Sequence, residues 1–423
     1  MRDYRLVELY GMAENSAVRG VLLQRGFFTV FMVVVNAFSW YFPLYLFFLS
    51  GLEHMHSPSF LIVAFGVQYL AAICSAVVGT AVVKRLGSRD MLLSFWMLLG
   101  IGASALMILL EMFNGVFALV LSCLLGISLG LGFPSCLAYF GDYSSQENRG
   151  FLAGVTYFSS SLCIVFVGLL LSFASFTIGA LILASWRGVG LALFLFFKPE
   201  RDHHNENIVP SRTDVPYKAV FSDKSFLLYL IPWAMFCLIN FIENPIVDEF
   251  FGDPVASFIP IAEFGIGSLA ALAGGWISDS VGRKRVVISG FILLGVGYAL
   301  LGLFPNINLS WYLYIILDGA AWGIFLLMFY MIIWAELAGN RLKDKYCLVG
   351  LLPFLVSSYT QIVLTPYARQ IDISAAFSLA SLFLFLAVFP ILVAPETLPE
   401  KKIELKKLRK YLAKATEIRQ SQG

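Results

Sequence analysis

Three carboxylates stand inside long apolar runs of this 423-residue chain: Glu243, Glu263 and Asp318. An ionised side chain in hydrocarbon costs several kcal/mol unless paired or hydrated, so each is a candidate for holding a solute or a proton. Asn240, Glu243 and Asn244 are spaced i, i+3, i+4, which sets them on one face of a helix. Pro245 follows and can break that helix by removing a backbone donor. Asp318 and Trp322 share a face of another helix, as do Asn36 and Trp40. Asp318 falls about nine residues into its run, ~14 Å along a helix and near the middle of a bilayer. These eight residues form the expected solute or proton pathway. The alternatives are plainer. Glu243 could sit hydrated near the outer headgroups, and Asp318 could be a structural partner to another helix. Asn36 and Trp40, with Tyr41 and Tyr45, could belong to an interfacial aromatic belt. Arg187, the only basic residue deep in a run, either supports the structure or meets an anionic solute.

Other chemistry finds no residues to carry it. There is no glycine-rich phosphate loop and no cluster with metal-ligand spacing. His54, His56, His203 and His204 read as polar loop residues. Five of the six cysteines lie inside apolar runs and Cys347 at the edge of one, so they read as small packing residues and not as disulfides. A net charge of +2 gives no reason to expect nucleic acid. No enzyme activity, cofactor or metal is expected.

The elements that hold these residues are membrane spans. The chain is 59% hydrophobic and 13% charged, against roughly 25% charged in soluble proteins. Twelve apolar runs come close to or exceed the ~20 residues a spanning helix needs. They are Gly26–Leu49, Phe60–Val83, Met91–Leu110, Val116–Phe140, Phe151–Phe173, Ile178–Phe197, Phe226–Pro245, Val255–Ile277, Val286–Leu303, Leu309–Leu337, Leu348–Tyr367 and Ala375–Val393. Positive residues gather on the cytoplasmic side of short loops. With the N-terminus inside, all of the 29 Lys and Arg except Arg187 and Arg369 fall inside. The polar start, Met1 to about Gly20, lacks a short apolar run with a cleavage site, so no removable signal peptide is expected. The expected organisation is a cytoplasmic segment 1–25, a six-helix half 26–197, a cytoplasmic linker 198–224, a second half 225–394 and a tail 395–423. Leu405, Leu408 and Leu412 recur at helical spacing among lysines in that tail, as in an amphipathic helix on the anionic inner leaflet.

Two loops between spans nearly repeat each other. One reads Lys84-Arg85-Leu86-Gly87-Ser88-Arg89 and the other Asp279-Ser280-Val281-Gly282-Arg283-Lys284-Arg285, about half a chain apart. A repeat of membrane spans at this distance points to a transporter of two like halves. With the linker and the loops, the chain resembles the major facilitator superfamily over about residues 20–397. The second loop carries the resemblance best: Gly275, Asp279 four later, Gly282 three later, then Arg283 and Lys284. In the first copy Thr80 stands at the first glycine position and Lys84 at the acid position. A cation facing a helix N-terminus would be repelled, so this half is expected to contribute less to closing the inner face. Further marks are similar to the sugar-porter branch. Tyr139-Phe-Gly-Asp142 is followed by Arg149-Gly150, and Glu336 is followed seven later by Lys343, as Arg149 follows Asp142. Pro199-Glu200-Arg201 and Pro395-Glu396-Thr397 close the two halves. The resemblance implies that these acid–base sets hold an inner gate shut. The branch's glutamine-rich sugar contact is missing from Phe236–Pro245, and so is the fourth-span arginine of many proton-driven drug exporters.

The resemblance implies an all-α polytopic membrane protein, twelve helices as two six-helix repeats in the major facilitator fold. It implies a secondary active transporter moving a small polar solute by alternating access, with a proton as coupling partner or with none. The other reading is a transporter-shaped receptor or assembly protein without flux. A monomer in the lipid bilayer of the plasma (cell) membrane, both termini cytoplasmic, is expected.

Overall fold

The computed structural model describes residues 25–86, 89–110, 112, 115–197, 213–251, 255–368 and 370–398. The expectations for the N-terminal segment, for Gly87, for linker residues 198–212 and for the tail beyond Leu398 lie outside the described residues.

Twelve helices are long and apolar enough to cross a membrane. In order they are Gly26–Met55, Pro58–Leu86, Arg89–Leu109, Gly115–Tyr143, Arg149–Ser172, Phe176–Phe197, Lys224–Val247, Ile261–Val281, Arg283–Leu303, Asn308–Ala338, Lys343–Ala368 and Ile373–Val393. The spans outrun the apolar stretches at the linker face. The third, fifth, ninth and eleventh begin on Arg89, Arg149, Arg283 and Lys343, residues that the apolar pattern leaves in loops. A cation at the positive end of a helix dipole is disfavoured. Each of these starts therefore needs an acid beside it, and each has one.

Departures from a plain helix in three of the spans bear on the site. The helix of the seventh continues through Pro232 and Pro245 to Phe251, so Pro245 does not end it as its type suggests. Neighbouring helices can satisfy the carbonyl that a membrane proline frees. The fourth span is interrupted between Gly130 and Phe133 and restarts with Pro134 in its first turn. The tenth passes through a π-helical stretch, Leu326–Ile332. The fourth and tenth are corresponding members of the two repeats, and both irregular stretches face the middle of the molecule.

The halves pack alike. The second span lies on the fourth as the eighth lies on the tenth, the first on the fifth as the seventh on the eleventh, and the third on the sixth as the ninth on the twelfth. Between the halves the main seams are fifth against eighth, and the eleventh against both the second and the fourth. Small residues permit the closest approaches, the usual device where lipid gives no hydrophobic drive for helix association. At the fifth–eighth seam a β-carbon on Gly275 would strike the carbonyl of Gly150.

Candidate transport pathway and gate

At the linker face two ion clusters tie the halves together. In one, Asp142 ends the fourth span and accepts from Arg89 (Nη1–Oδ2 2.5 Å) and from Lys343 of the other half (Nζ–Oδ1 2.8 Å). Arg89 also forks onto Asp344, with Nε–Oδ1 3.0 Å and Nη2–Oδ2 2.5 Å. In the other, Glu336 ends the tenth span and accepts from Arg283 of its own half at 3.4 Å and from Arg149 of the other at 3.2 Å. Arg283 also donates to Asp279 at 2.6 Å. Asp279 in turn accepts the backbone N–H groups of Gly150 (3.0 Å) and Phe151 (2.8 Å), the first turn of the fifth span. The chain beyond the twelfth span completes this cluster. Thr397 donates to Glu336 at 2.6 Å, and Glu396 accepts the N–H groups of Arg283 and Lys284. Lys284 Nζ donates to the carbonyls of Leu392 and Ala394. Gly282, at φ 101°, makes the turn before the ninth span, and a β-carbon there would strike the Glu396 carboxylate.

The clusters are repeat-related. Asp142 corresponds to Glu336, Arg89 to Arg283 and Lys343 to Arg149, and each joins one half to the other. Desolvated pairs of this kind are costly to break one-sidedly, because the remaining charge is left buried. All nine residues named for the gate lie in or beside the two clusters. Arg89 and Asp344 complete the first, and the sequence reading does not single them out. Their signal was available: an acid one residue after Lys343, and a cation opening the third span as Arg283 opens the ninth.

The pathway residues divide. Asn240, Glu243, Glu263, Asp318 and Trp322 come together inside the C-terminal half. Trp322 Nε1 donates to Asn240 Oδ1 at 3.0 Å. An indole N–H can only donate, which fixes the way the amide faces. Asn240 Nδ2 then donates to Asp318 (3.0 Å) and to the hydroxyl of Tyr298 (2.8 Å), and Glu243 lies beside Tyr298 and Asp318. Glu263 stands beside Asp318. It comes this near because Gly319 has no side chain: a β-carbon there would lie 3.1 Å from Glu263 Cα. Asn240, Glu243 and Asp318 are buried, so Glu243 is not a hydrated headgroup residue. Asn244 is half-buried and takes no part in the hydrogen-bonded set.

Asn36 and Trp40 point elsewhere, into the N-terminal half, where they hold Arg187. Asn36 Oδ1 accepts from Arg187 Nη1 at 2.8 Å. The guanidinium lies over the rings of Trp40 (4.7 Å) and Trp96 (4.2 Å), and Trp40 Nε1 donates to Ser104. This corrects their assignment to the pathway. The first span is largely apolar, and the buried guanidinium, not the cavity, claims Asn36 and Trp40. Arg187 itself is fully buried midway along the sixth span, at neither end.

Between the halves lies a cavity of about 20 Å³, room for roughly one water. Its wall is aromatic and aliphatic, with Tyr41, Phe42, Phe133, Pro134, Tyr330 and Phe354 prominent. Phe133 and Pro134 open the second segment of the fourth span, and Tyr330 belongs to the π stretch of the tenth. Tyr330 packs on Phe38 and Phe133 of the opposite half. The polar cluster stands behind this wall, with Trp322 against Phe354.

Twelve spanning helices in two like halves, a small cavity where the halves meet and ion clusters closing one face define a membrane transporter that works by rocking its halves. The sequence model of the Major Facilitator Superfamily matches residues 29–333, and the chain belongs to that family. It is therefore a secondary transporter and not an enzyme. Among solved structures it is similar to the proton:xylose symporter XylE with 6-bromo-6-deoxy-D-glucose bound, at 14% identity and TM-score 0.66, over 88% of this chain and 96% of that one. The human organic anion transporter MFSD10 gives 16% identity and TM-score 0.63, over 87% and 99%. The E. coli fucose:proton symporter FucP gives 10% and 0.64, over 88% and 98%. No curated protein matches the chain.

Proposed function

We propose that this protein is a proton-coupled transporter of a small polar solute, with Asp318 and Glu263 as the proton-holding pair. One observation carries the reading: Asp318 is buried in the tenth span and Glu263 of the eighth packs beside it across Gly319. Two carboxyl groups held together away from water repel when both are ionised, which favours a shared proton on one of them. The pair lies where the eighth and tenth spans meet, and the Asn240 amide donates to Asp318. Asn240 links it through Trp322 to the aromatic wall, so a solute pressing on that wall can shift the hydrogen bonds that set where the proton rests. The polar part of the solute is read by the Asn240–Trp322 side and its body by the rings of Tyr41, Phe133, Tyr330 and Phe354. Two of the structural relatives, XylE and FucP, are proton symporters, which agrees with this reading.

The test begins with a thermal-shift screen of purified protein against sugars, organic acids, amino acids and drugs. The solute found is then followed into proteoliposomes. Uptake should rise when the outside is made acid and collapse with a protonophore. Uptake indifferent to both would leave a facilitator. No uptake of a solute that binds would favour the receptor reading.

The basic loops support a plasma-membrane protein with both termini and the linker in the cytoplasm. Single cysteines replacing Ser57 and Asn306 should be labelled from outside the cell, and one replacing Lys218 only after permeabilisation. Outside labelling at Lys218 would reverse the assignment.

A further inference from the structure

In the second repeat, the two residues that identify the loop work directly across the seam. Gly275 lies on the backbone of Gly150, and Asp279 accepts the N–H groups of Gly150 and Phe151. The first repeat has Thr80 and Lys84 at those positions. Both of these departures are engaged by the linker. Tyr217 shares a hydrogen bond with Thr80, OH–Oγ1 2.6 Å. Asp214 Oδ2 lies 2.7 Å from Lys84 Nζ. Its other oxygen, Oδ1, lies 2.6 Å from Lys345 Nζ of the opposite half. Lys345 sits in the first turn of the eleventh span, the repeat counterpart of the first turn of the fifth that Asp279 reaches. It also donates to the Val215 carbonyl at 2.8 Å and lies over the Tyr217 ring at 5.1 Å. One residue upstream, Thr213 pairs with the backbone of Asn340 and Leu342.

We propose that the linker supplies in trans the acid that the first repeat lacks: Asp214, steadied by Tyr217, is a gating residue that bolts the second span to the eleventh on the cytoplasmic face. An aspartate at position 84 could reach the eleventh span unaided, but a lysine needs an acid set between it and Lys345. The linker is the only described chain in that place. Lys345 and Lys84 hold the Asp214 carboxyl below the usual carboxylate range, so it is charged at neutral pH. For the cytoplasmic face to open, the second and eleventh spans must part. Asp214 must then leave at least one of its lysines, and the linker, continuous with the seventh span, moves with one half. The inference rests on the alternating-access reading above, but its test needs no solute.

On a cysteine-free background, Ala76→Cys places a reporter on the central cavity, to be labelled from the cytoplasmic side of inside-out vesicles. Asp214→Asn should raise its labelling rate about twofold to fivefold, the range that exposed ion pairs allow. Adding Lys84→Asp to Asp214→Asn should return the rate to the parent value, because the acid then stands where the second repeat has it. Lys218→Asn, an equal change of charge size on an exposed linker residue, should do nothing. Unchanged labelling in Asp214→Asn, or no rescue by Lys84→Asp, would overturn the bolt. A protein that shows this pattern yet carries no solute would keep the bolt and lose the transport reading.

Discussion

Glu336→Gln should open the cytoplasmic face and weaken the closed form by about 3–5 kcal/mol, the penalty for removing one member of a buried pair. Glu336 is a single carboxylate set between Arg149 and Arg283, one from each half. Arg283 keeps Asp279 when Glu336 is neutral. Arg149 keeps the Ser144 hydroxyl and the Gly141 and Ser144 carbonyls, but loses the one carboxylate that pairs with it directly. In the open form Arg149 meets water, and the penalty vanishes. The equilibrium should therefore move by on the order of 10²-fold or more, seen as fast cytoplasmic labelling of the Ala76→Cys reporter and a lower melting temperature. Thr397→Val, which removes one hydrogen bond to the same carboxylate, should cost only about 1 kcal/mol. If Glu336→Gln stays as closed as the parent, the cluster does not hold the gate.

Asp318→Asn should abolish uptake driven by a pH gradient while leaving solute exchange in place. The amide can still accept from Asn240 and can donate to Glu263, so the fold keeps its bonds and stability should change by about 1 kcal/mol. It cannot hold a proton in place of the carboxyl. If Asp318 binds solute directly, exchange falls as well. If it is only structural, melting falls and the uptake that remains still follows the gradient. Glu243→Gln should act less strongly, since Glu243 stands outside the Asp318–Glu263 pair and acts on Asp318 as a neighbouring charge. Full gradient-driven uptake in the double variant would remove the site proposed here.

Much of this was legible before any coordinates, for physical reasons. Span number follows from apolar length, and the charged residues of the gate were marked by the loop motifs of the resemblance, which do not say that Asp142 takes Lys343 of the other half. What was not legible depends on which helix face meets which neighbour. Asn36 and Trp40 share a face, but nothing in an apolar helix says that this face turns to the sixth span. Pro245 marks a weak point in a helix without saying that packing carries the helix past it. Lys84 looked like a lost function; its acid lies some 130 residues away, in a segment that no repeat predicts.

The distribution of charge also divides the electrical work of the cycle. The gate clusters sit at one edge of the bilayer, outside most of the transmembrane field, so making and breaking them moves little charge through it. The Asp318–Glu263 pair lies nearer the face opposite the gate, Asp318 about a third of the way along the tenth span and Glu263 near the start of the eighth, so a proton reaching it from the gate side traverses the larger share of the field. A full crossing is worth about 2.3 kcal/mol per 100 mV, divided unequally between the two steps. Membrane voltage should then act on loading and unloading of the carboxyl pair, and leave the gate itself indifferent.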